Sequence, residues 1–508
     1  MTEGSLIKVF RGTMEEYEDA PPPADALAES LRGFGYSAET AIADIIDNSI
    51  TAKARNVFVN VELAAGTPFI SILDDGEGMS EKTLREAMKL GSQSPLIPRA
   101  ETDLGRFGLG LKTASFSQAR SLTVASKRKG GEVAIRRWDL DYLADSKGEW
   151  RLLTSAPEDA VPHIERLEEK ESGTLVLWNK LDRVRPRHSA AEGGAKSHLL
   201  MEQLEHHLSM VFHRYLEGSQ PKLKLHVNAA RIRPWDPFMS SHPACRPSPQ
   251  ETVGTSNARI RVKGFVLPNK DMIGDEKAWN LAGGSEGWVT NQGFYIYRND
   301  RLLVAGGWLG LGRPKPWVRD ETHKLARIRV DLPNSEDATW QIDVKKSDAS
   351  PPENLRARLT DLALAIRGEA RYVFVHRGEY GKNPKVANLA RPWKSVRIGG
   401  QSAYRIDTSH PVASYILLSL DDDDRSIAAF FKLLENTVPV EKIWIDTVEQ
   451  GELPATPFSG ETREQIRALA RDLLASLVRG SGLSEADARA QLRKMAPFDQ
   501  HSEIIDEI

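Results

Sequence analysis

Cysteine is almost absent. Cys245 is the single one in 508 residues, which excludes an intramolecular disulfide framework and any zinc site built on several thiolates, and fits a reducing compartment. Long apolar runs are missing too: no stretch of about 18 uncharged apolar residues occurs. The opening MTEGSLIKVFRGTMEEYEDAPPP lacks the apolar core of a signal peptide. The expectation is a cytoplasmic protein without membrane anchoring. Charge of one sign is not in excess either, since 68 Lys and Arg against 71 Asp and Glu leave a formal net charge of -3. Composition therefore names no acidic or basic partner. No internal repeat or low-complexity tract stands out, and the scattered histidines show no metal-ligand spacing, so no structural metal is assigned.

What is present is length and pattern. At 508 residues the chain exceeds one ordinary core, and about two to four domains are expected. An acidic patch and Pro21 to Pro23 precede a helical pattern at Ala24 to Leu31. Apolar residues then recur at helical spacing from Ser37 to Ala54, and NVFVNVEL alternates as a strand from Asn56. FISILDD is a second strand, SEKTLREAMKL a helix capped by Ser80, and SLTVASK, GEVAIRRWDL and GTLVLWN are further strands. These make one α/β domain of helices layered on a mixed sheet. After an Arg-, Gly- and Pro-rich stretch come a helix from His198 to Leu216, strands KLKLHVN, ARIRVKGFVL, GFYIYRN and LARIRVDL, and a helix from Glu353 toward Glu369. The expected organisation is an arm (1–23), an α/β domain (24–182), a linker or loop (183–197), a second α/β domain (198–378) and a C-terminal region (379–508). That last region has an acidic run at Asp421 to Asp424, two late helical patterns and no recognisable chemistry.

Three elements of the first domain carry chemistry. Asp44 and Asn48, four apart on one helix, share a face. The amide oxygen can ligate Mg²⁺ and the carboxylate can take a proton from an attacking water. Alone, the pair is a weak signal and reads first as a solvated helix face, the usual state of acidic residues on helices. Second, Asp74-Asp75-Gly76-Glu77-Gly78-Met79 stands where an apolar strand ends. Glycines permit a tight turn, a carboxylate held there can accept from an exocyclic amine, and Met79 can pack on a base. The bland reading is an ordinary Asp-Gly turn. Third, Leu104 to Ser115 is a glycine-rich turn running into a helix start, where backbone amides bind phosphate oxygens. Leu111 separates Gly110 from Lys112, so it misses a P-loop, and Thr113 spoils a dinucleotide-binding GxGxxG.

In this order and separation the three elements resemble the N, G1 and G2 boxes of the GHKL superfamily, shared by gyrase, the ninety-kilodalton heat-shock chaperone, histidine kinases and MutL. The resemblance implies a Bergerat fold of α+β class with helices on one face of a mixed sheet. It implies that Asp74 binds the adenine amine of ATP, with Gly76, Gly78 and Met79 around it, and that Asn48 binds Mg²⁺. Gly105, Arg106, Phe107, Gly108, Leu109, Gly110, Leu111 and Lys112 would form part of a lid over the phosphates. Thr174 matches the family threonine that supports the adenine-binding aspartate through water.

Three further segments resemble the microrchidia branch: SGTLVLWNKL, GFYIYRNDRLLVAGGW from Gly293, and DVKKSDA, which is also similar to the lysine loop of MutL. The second domain then looks like a ribosomal S5-like transducer, followed by a smaller, mainly helical region. Lys346 is the candidate lysine reaching the γ-phosphate, with Lys345 its rival; either also reads as a solvated charge at a strand end. The resemblance implies an ATP-dependent homodimer, an ATP-gated clamp on double-stranded DNA in a bacterial restriction or phage-defence system, and operon-encoded effector partners. Basic clusters at Lys127 to Lys129, at Arg183, Arg185 and Arg187, and at Arg231 and Arg233 add only weak support. One departure is Asp44, where the family usually has Glu; the shorter reach could slow hydrolysis on the order of a hundredfold. Asp47 and Glu39 are near but occupy other positions of the motif. The alternative is a nucleotide-sensing scaffold with little hydrolysis, and less favoured is a chaperone-type ATPase.

Overall fold

A computed structural model describes residues 22–63, 67–91, 110–146, 148–184, 194–254, 259–336, 339–342, 349–375, 390–398, 401–418, 426–440, 442–443, 458, 460–481 and 483–508. The chain divides into two compact units, Met1–Arg371 and Tyr372–Ile508. Among the described residues no helix is long and apolar enough to cross a membrane.

The first unit contains two sheets. Strands β1 (Asn56–Glu62), β2 (Phe69–Asp74), β3 (Ala119–Lys127), β4 (Ala134–Asp139), β5 (Gly173–Leu181), β6 (Lys224–Val227) and β7 (Ala230–Arg231) form one sheet in the order β4-β3-β5-β2-β1-β6-β7. Its pairs are antiparallel except β1 with β6. Alternation along β5 explains the layering. Val176 and Trp178 enter the large core under helices α1 (Ala24–Leu31), α2 (Ala38–Thr51), α4 (Gly110–Phe116) and α7 (Gly194–Val211). Leu175 and Leu177 face the other way, into a smaller core of Leu73, Ala125, Ala160, Ile164 and Leu167. The same sheet also carries helices α3 (Glu81–Met88), α5 (Leu140–Ala144) and α6 (Val161–Glu168), and α6 partly closes that second face. Local signals set the helix starts: Ser37 accepts the Thr40 N–H and Ser80 the Thr83 N–H, as N-caps do.

The segment from His198 to Val227, expected with the second domain, belongs instead to the first sheet. Leu204, Leu208, Phe212, Leu225 and Val227 lie in its large core, and β6 pairs in parallel with β1. The alternation of KLKLHVN specifies a strand but not the edge it joins, and β1 offered an open one.

The second sheet comprises β8 (Arg246–Pro247), β9 (Glu251–Val253), β10 (Ile260–Val266), β11 (Gly293–Arg298), β12 (Arg301–Ala305) and β13 (Ala326–Leu332). Its order is β12-β11-β13-β10-β8, with β9 also on β10. The long helix Glu353–Val375 lies close against β10: a Cβ built on Gly264 would fall 2.2 Å from the Ile366 side chain.

The second unit has a hairpin of β14 (Trp393–Ile398) and β15 (Gln401–Ile406) that the sequence reading passed over. Both late helical patterns are helices, Arg463–Ser481 and Glu485–Leu492, packed on a core of Ile466, Ala470, Leu477, Leu492, Phe498 and Ile505.

Candidate nucleotide site

Asp74 ends β2 and is 5% exposed. Three elements converge on its carboxylate. The Gly76 N–H (2.9 Å) and the Thr174 N–H of β5 (3.1 Å) donate to Oδ1, and the Ser49 hydroxyl of α2 donates to Oδ2 at 2.9 Å. Burial pushes this carboxyl above its ordinary 3.8, the hydrogen bonds from Gly76, Ser49 and Thr174 oppose that, and the charge on Asp75 adds to the rise. Neighbouring Asp75 behaves oppositely. Burial works against its charge, yet hydrogen bonds from the Asn56 side chain and from the Asn56 and Arg55 backbone, with the charge of Lys170, hold it below its usual range.

The turn after Asp74 needs its glycines. Gly78 sits at φ +65°, and a Cβ there would lie 1.9 Å from the Lys127 carbonyl oxygen. Gly173 presses so closely that a Cβ would meet the Asp74 carbonyl oxygen at 2.2 Å. Met79 follows, partly buried against the large core, its N–H donating to the Ser126 hydroxyl at 2.8 Å. That hydroxyl is 2.8 Å from the Thr174 hydroxyl. Thr174 thus meets Asp74 directly through its backbone, and its side chain turns to Ser126.

On α2, Asp44 is buried and Asn48, one turn later, is exposed. Tyr36 donates its hydroxyl to Asp44 Oδ2 at 3.0 Å. The other Asp44 oxygen lies 3.7 Å from Nη2 of Arg301, which comes from β12 of the second sheet. Gly110 opens α4 beside them, since a Cβ there would stand 3.9 Å from Asp44 Oδ2. The fold therefore gathers Asp44, Asn48, Asp74, Gly76, Met79, Gly110 and Thr174 around α2 and the end of β2. Among the described residues no cluster of three His, Cys, Asp or Glu could hold a metal ion. Magnesium that travels with nucleotide phosphates needs no such cage, because it takes one or two protein oxygens and completes its shell with phosphate and water. An exposed amide oxygen beside a buried carboxylate fits that demand.

Gly105, Arg106, Phe107, Gly108 and Leu109 of the expected lid lie outside the described residues, as do Lys345 and Lys346. Leu111 packs against the large core. Lys112 is 2% exposed, and its ammonium donates to the Ala87 carbonyl at 2.9 Å, near the end of α3. Burial pulls its pKa from 10.5 to about 8. The folded protein releases this proton before the unfolded chain does, so below pH 8 the buried charge costs on the order of 3 kcal/mol. That cost is relieved as pH rises from about 8 toward 10.5. Lys112→Met is expected to raise stability at pH 7 and to remove this gain with pH; denaturant midpoints at neutral and alkaline pH check it, and parallel pH trends in the two proteins would contradict it.

Four contributors were missed by the motif reading: Tyr36, Ser49, Ser126 and Arg301. Ser49 adjoins Asn48, and Arg301 lies within the GFYIYRNDRLLVAGGW segment, so their positions were visible but their partners were not.

Residues 36–174 match the family described as histidine kinase-, DNA gyrase B-, and HSP90-like ATPase. The chain is 30% identical over 96 residues to ATPase morc-1 of Caenorhabditis elegans, covering 19% of this chain and 11% of that protein. It is 25% identical over 261 residues to structural maintenance of chromosomes flexible hinge domain-containing protein 1 of Homo sapiens, covering 42% of this chain and 13% of that protein. The Mus musculus protein of the same name is 26% identical over 253 residues, covering 40% and 12%. The chain thus spans only about an eighth or less of the length of these curated relatives. With the box residues gathered as described, residues 36–174 are a domain of the GHKL ATPase family, in a protein similar to microrchidia ATPases.

Proposed function

We propose that the protein binds ATP with Mg²⁺, hydrolyses it slowly, and uses the cycle to bring two N-terminal regions together as an ATP-gated clamp on DNA. The observation that carries the reading is the buried Asp74 carboxylate. Two backbone N–H groups fix its Oδ1, and Oδ2 has one donor, Ser49, among the described residues. A carboxylate oxygen accepts more than one hydrogen bond, so Oδ2 keeps capacity for the exocyclic amine of adenine. Met79 supplies a soft apolar contact for the base.

Asn48 would hold the magnesium ion, which supplies neutralisation of phosphate charge. Asp44 then acts as general base: a water held at its carboxylate loses a proton to it as the oxygen attacks the terminal phosphorus, and the bond from that phosphorus to the bridging oxygen breaks, releasing ADP and phosphate. Lys346, with Lys345 as rival, is proposed to reach the γ-phosphate, and the turn from Gly105 to Lys112 to cover it.

Support for DNA comes from exposed Arg128, Arg231 and Arg233. Among the described residues, other members of the basic clusters are engaged: Lys127 donates to the Glu168 and Lys170 carbonyls, Lys129 pairs with Glu171 at 2.5 Å, and Arg183 donates to the Arg32 carbonyl; Arg185 and Arg187 lie outside the described residues. One relative is named an ATPase and another carries a name referring to chromosomes. A role in bacterial restriction or phage defence, with effector partners, extends the same resemblance. A scaffold that senses nucleotide with little turnover is the second reading, favoured by Asp44 being one methylene shorter than the family Glu. Light scattering tests the clamp: a non-hydrolysable ATP analogue should convert monomer to dimer, Asn48→Ala should stay monomeric, and DNA binding should weaken steeply with salt. A monomer at saturating analogue would contradict it.

A further inference from the structure

Asp44 and Asp47 are three residues apart on α2, and their side chains are only 4% and 2% exposed. Two buried carboxylates so close repel unless a cation lies between them. Among the described residues such a cation is Arg301, itself 3% exposed, whose Nε lies 3.2 Å from Asp47 Oδ2 and whose Nη2 lies 3.7 Å from Asp44 Oδ1. Its Nη1 donates to the Leu302 carbonyl of its own strand at 2.7 Å, which fixes the plane of the guanidinium. The two Asp44 oxygens thus meet different partners, Oδ2 the Tyr36 hydroxyl ahead of α2 and Oδ1 the Arg301 guanidinium from the second sheet.

The turn that delivers Arg301 is pinned as firmly. Asn299 and Asp300 both have positive φ, at +47° and +65°, forming the tight connection between β11 and β12. Asp300 pairs with Lys222 at 2.7 Å and with Arg214 at 3.4 Å, and the Tyr215 hydroxyl donates to the Asn299 carbonyl. Tyr215 lies in the core of the first sheet. The guanidinium therefore reports on how the second sheet seats against α2.

We infer that Arg301 is a positioning residue, which orients the Asp44 carboxylate through the second sheet and makes ATP turnover depend on the docking of that sheet. The inference rests on the reading of Asp44 as general base. A shift of about 1 Å at a base can cost on the order of a hundredfold in rate, so a charge set beside one of its oxygens has large leverage without touching ATP.

The test uses the full chain with Mg·ATP, measuring kcat, ATP dissociation constant and thermal midpoint for Arg301→Gln, Arg301→Lys, Asp44→Asn, and Arg301→Gln combined with Asp47→Asn. Arg301→Gln is expected to lose about tenfold or more in kcat with ATP affinity nearly unchanged, and Arg301→Lys to recover part of it. The double variant also removes the Asp47 charge that faced Arg301, so it should regain thermal stability yet remain slow; it also serves if the single variant does not fold. Full recovery of kcat in the double variant would reduce Arg301 to charge compensation and overturn the inference. So would wild-type turnover in Arg301→Gln beside an inactive Asp44→Asn. Wild-type turnover in Asp44→Asn, or none in the wild type, would instead remove the reading of Asp44 as base and the inference with it.

Discussion

Replacing Asp44 with alanine is expected to lower kcat by about 10²- to 10⁴-fold, the range over which a positioned general base contributes. ATP affinity should change little, because Asp74 and not Asp44 supplies the proposed base contact. Release of phosphate under single-turnover conditions, with binding measured in parallel, separates the two. The expectation follows from placement on α2: Asp44 is buried and fixed through Tyr36, and Gly110 at the start of α4 lies beside it. Asn48→Ala should lose turnover as well, but with weakened dependence on Mg²⁺, since the exposed amide is the proposed metal ligand. Loss in Asn48→Ala with full activity in Asp44→Ala would move the base elsewhere.

The second large effect is expected at Asp74. In Asp74→Asn the retained oxygen can still accept the Gly76 and Thr174 N–H groups, and the new amide can donate to Ser49, whose hydroxyl rotates to accept. The fold should therefore survive. Adenine would then face an N–H donor where it needs an acceptor, and ATP affinity should fall by about 10- to 100-fold, the worth of a hydrogen bond to a charged group. Stability supplies a second readout. Because the folded carboxyl titrates above its unfolded 3.8, its contribution is fully present below the unfolded value and is lost as pH rises through the folded one. At neutral pH wild type carries the burial penalty of that charge, so Asp74→Asn should be as stable as wild type or more so, and its advantage should shrink in acid. Calorimetric titration with ATP and denaturant midpoints at two pH values check both halves.

Much of this site was legible in the sequence because its chemistry sits in short, local patterns. Ser80 announces the start of α3, the four-residue step from Asp44 to Asn48 places both on α2, and an apolar strand running into Asp-Asp-Gly fixes where Asp74 stands. Contacts between distant segments were not legible. Nothing local to KLKLHVN says that it joins β1 rather than the second sheet, because the same alternation serves either edge. Arg301 looks like a solvated strand residue until Asp44 and Asp47 are seen facing it across 254 or more positions of sequence. Ser49 and Ser126 act through single hydroxyls that any serine could offer. The hairpin of β14 and β15 was overlooked although Gly399-Gly400 between two alternating runs is a hairpin signal; Lys394, Arg397 and Arg405 within those runs masked it.

Equilibrium binding of Mg·ATP and Mg·GTP to the full chain bears on the central claim most directly. A carboxylate oxygen accepts from the exocyclic amine of adenine, whereas guanine presents a carbonyl oxygen at the same position and would leave two acceptors opposed. Saturable ATP binding is expected, with GTP rejected by at least the roughly 10- to 100-fold that the same hydrogen bond is worth. Equal affinity for the two nucleotides, or binding of neither, would contradict the assignment of Asp74 as the adenine-recognising carboxylate.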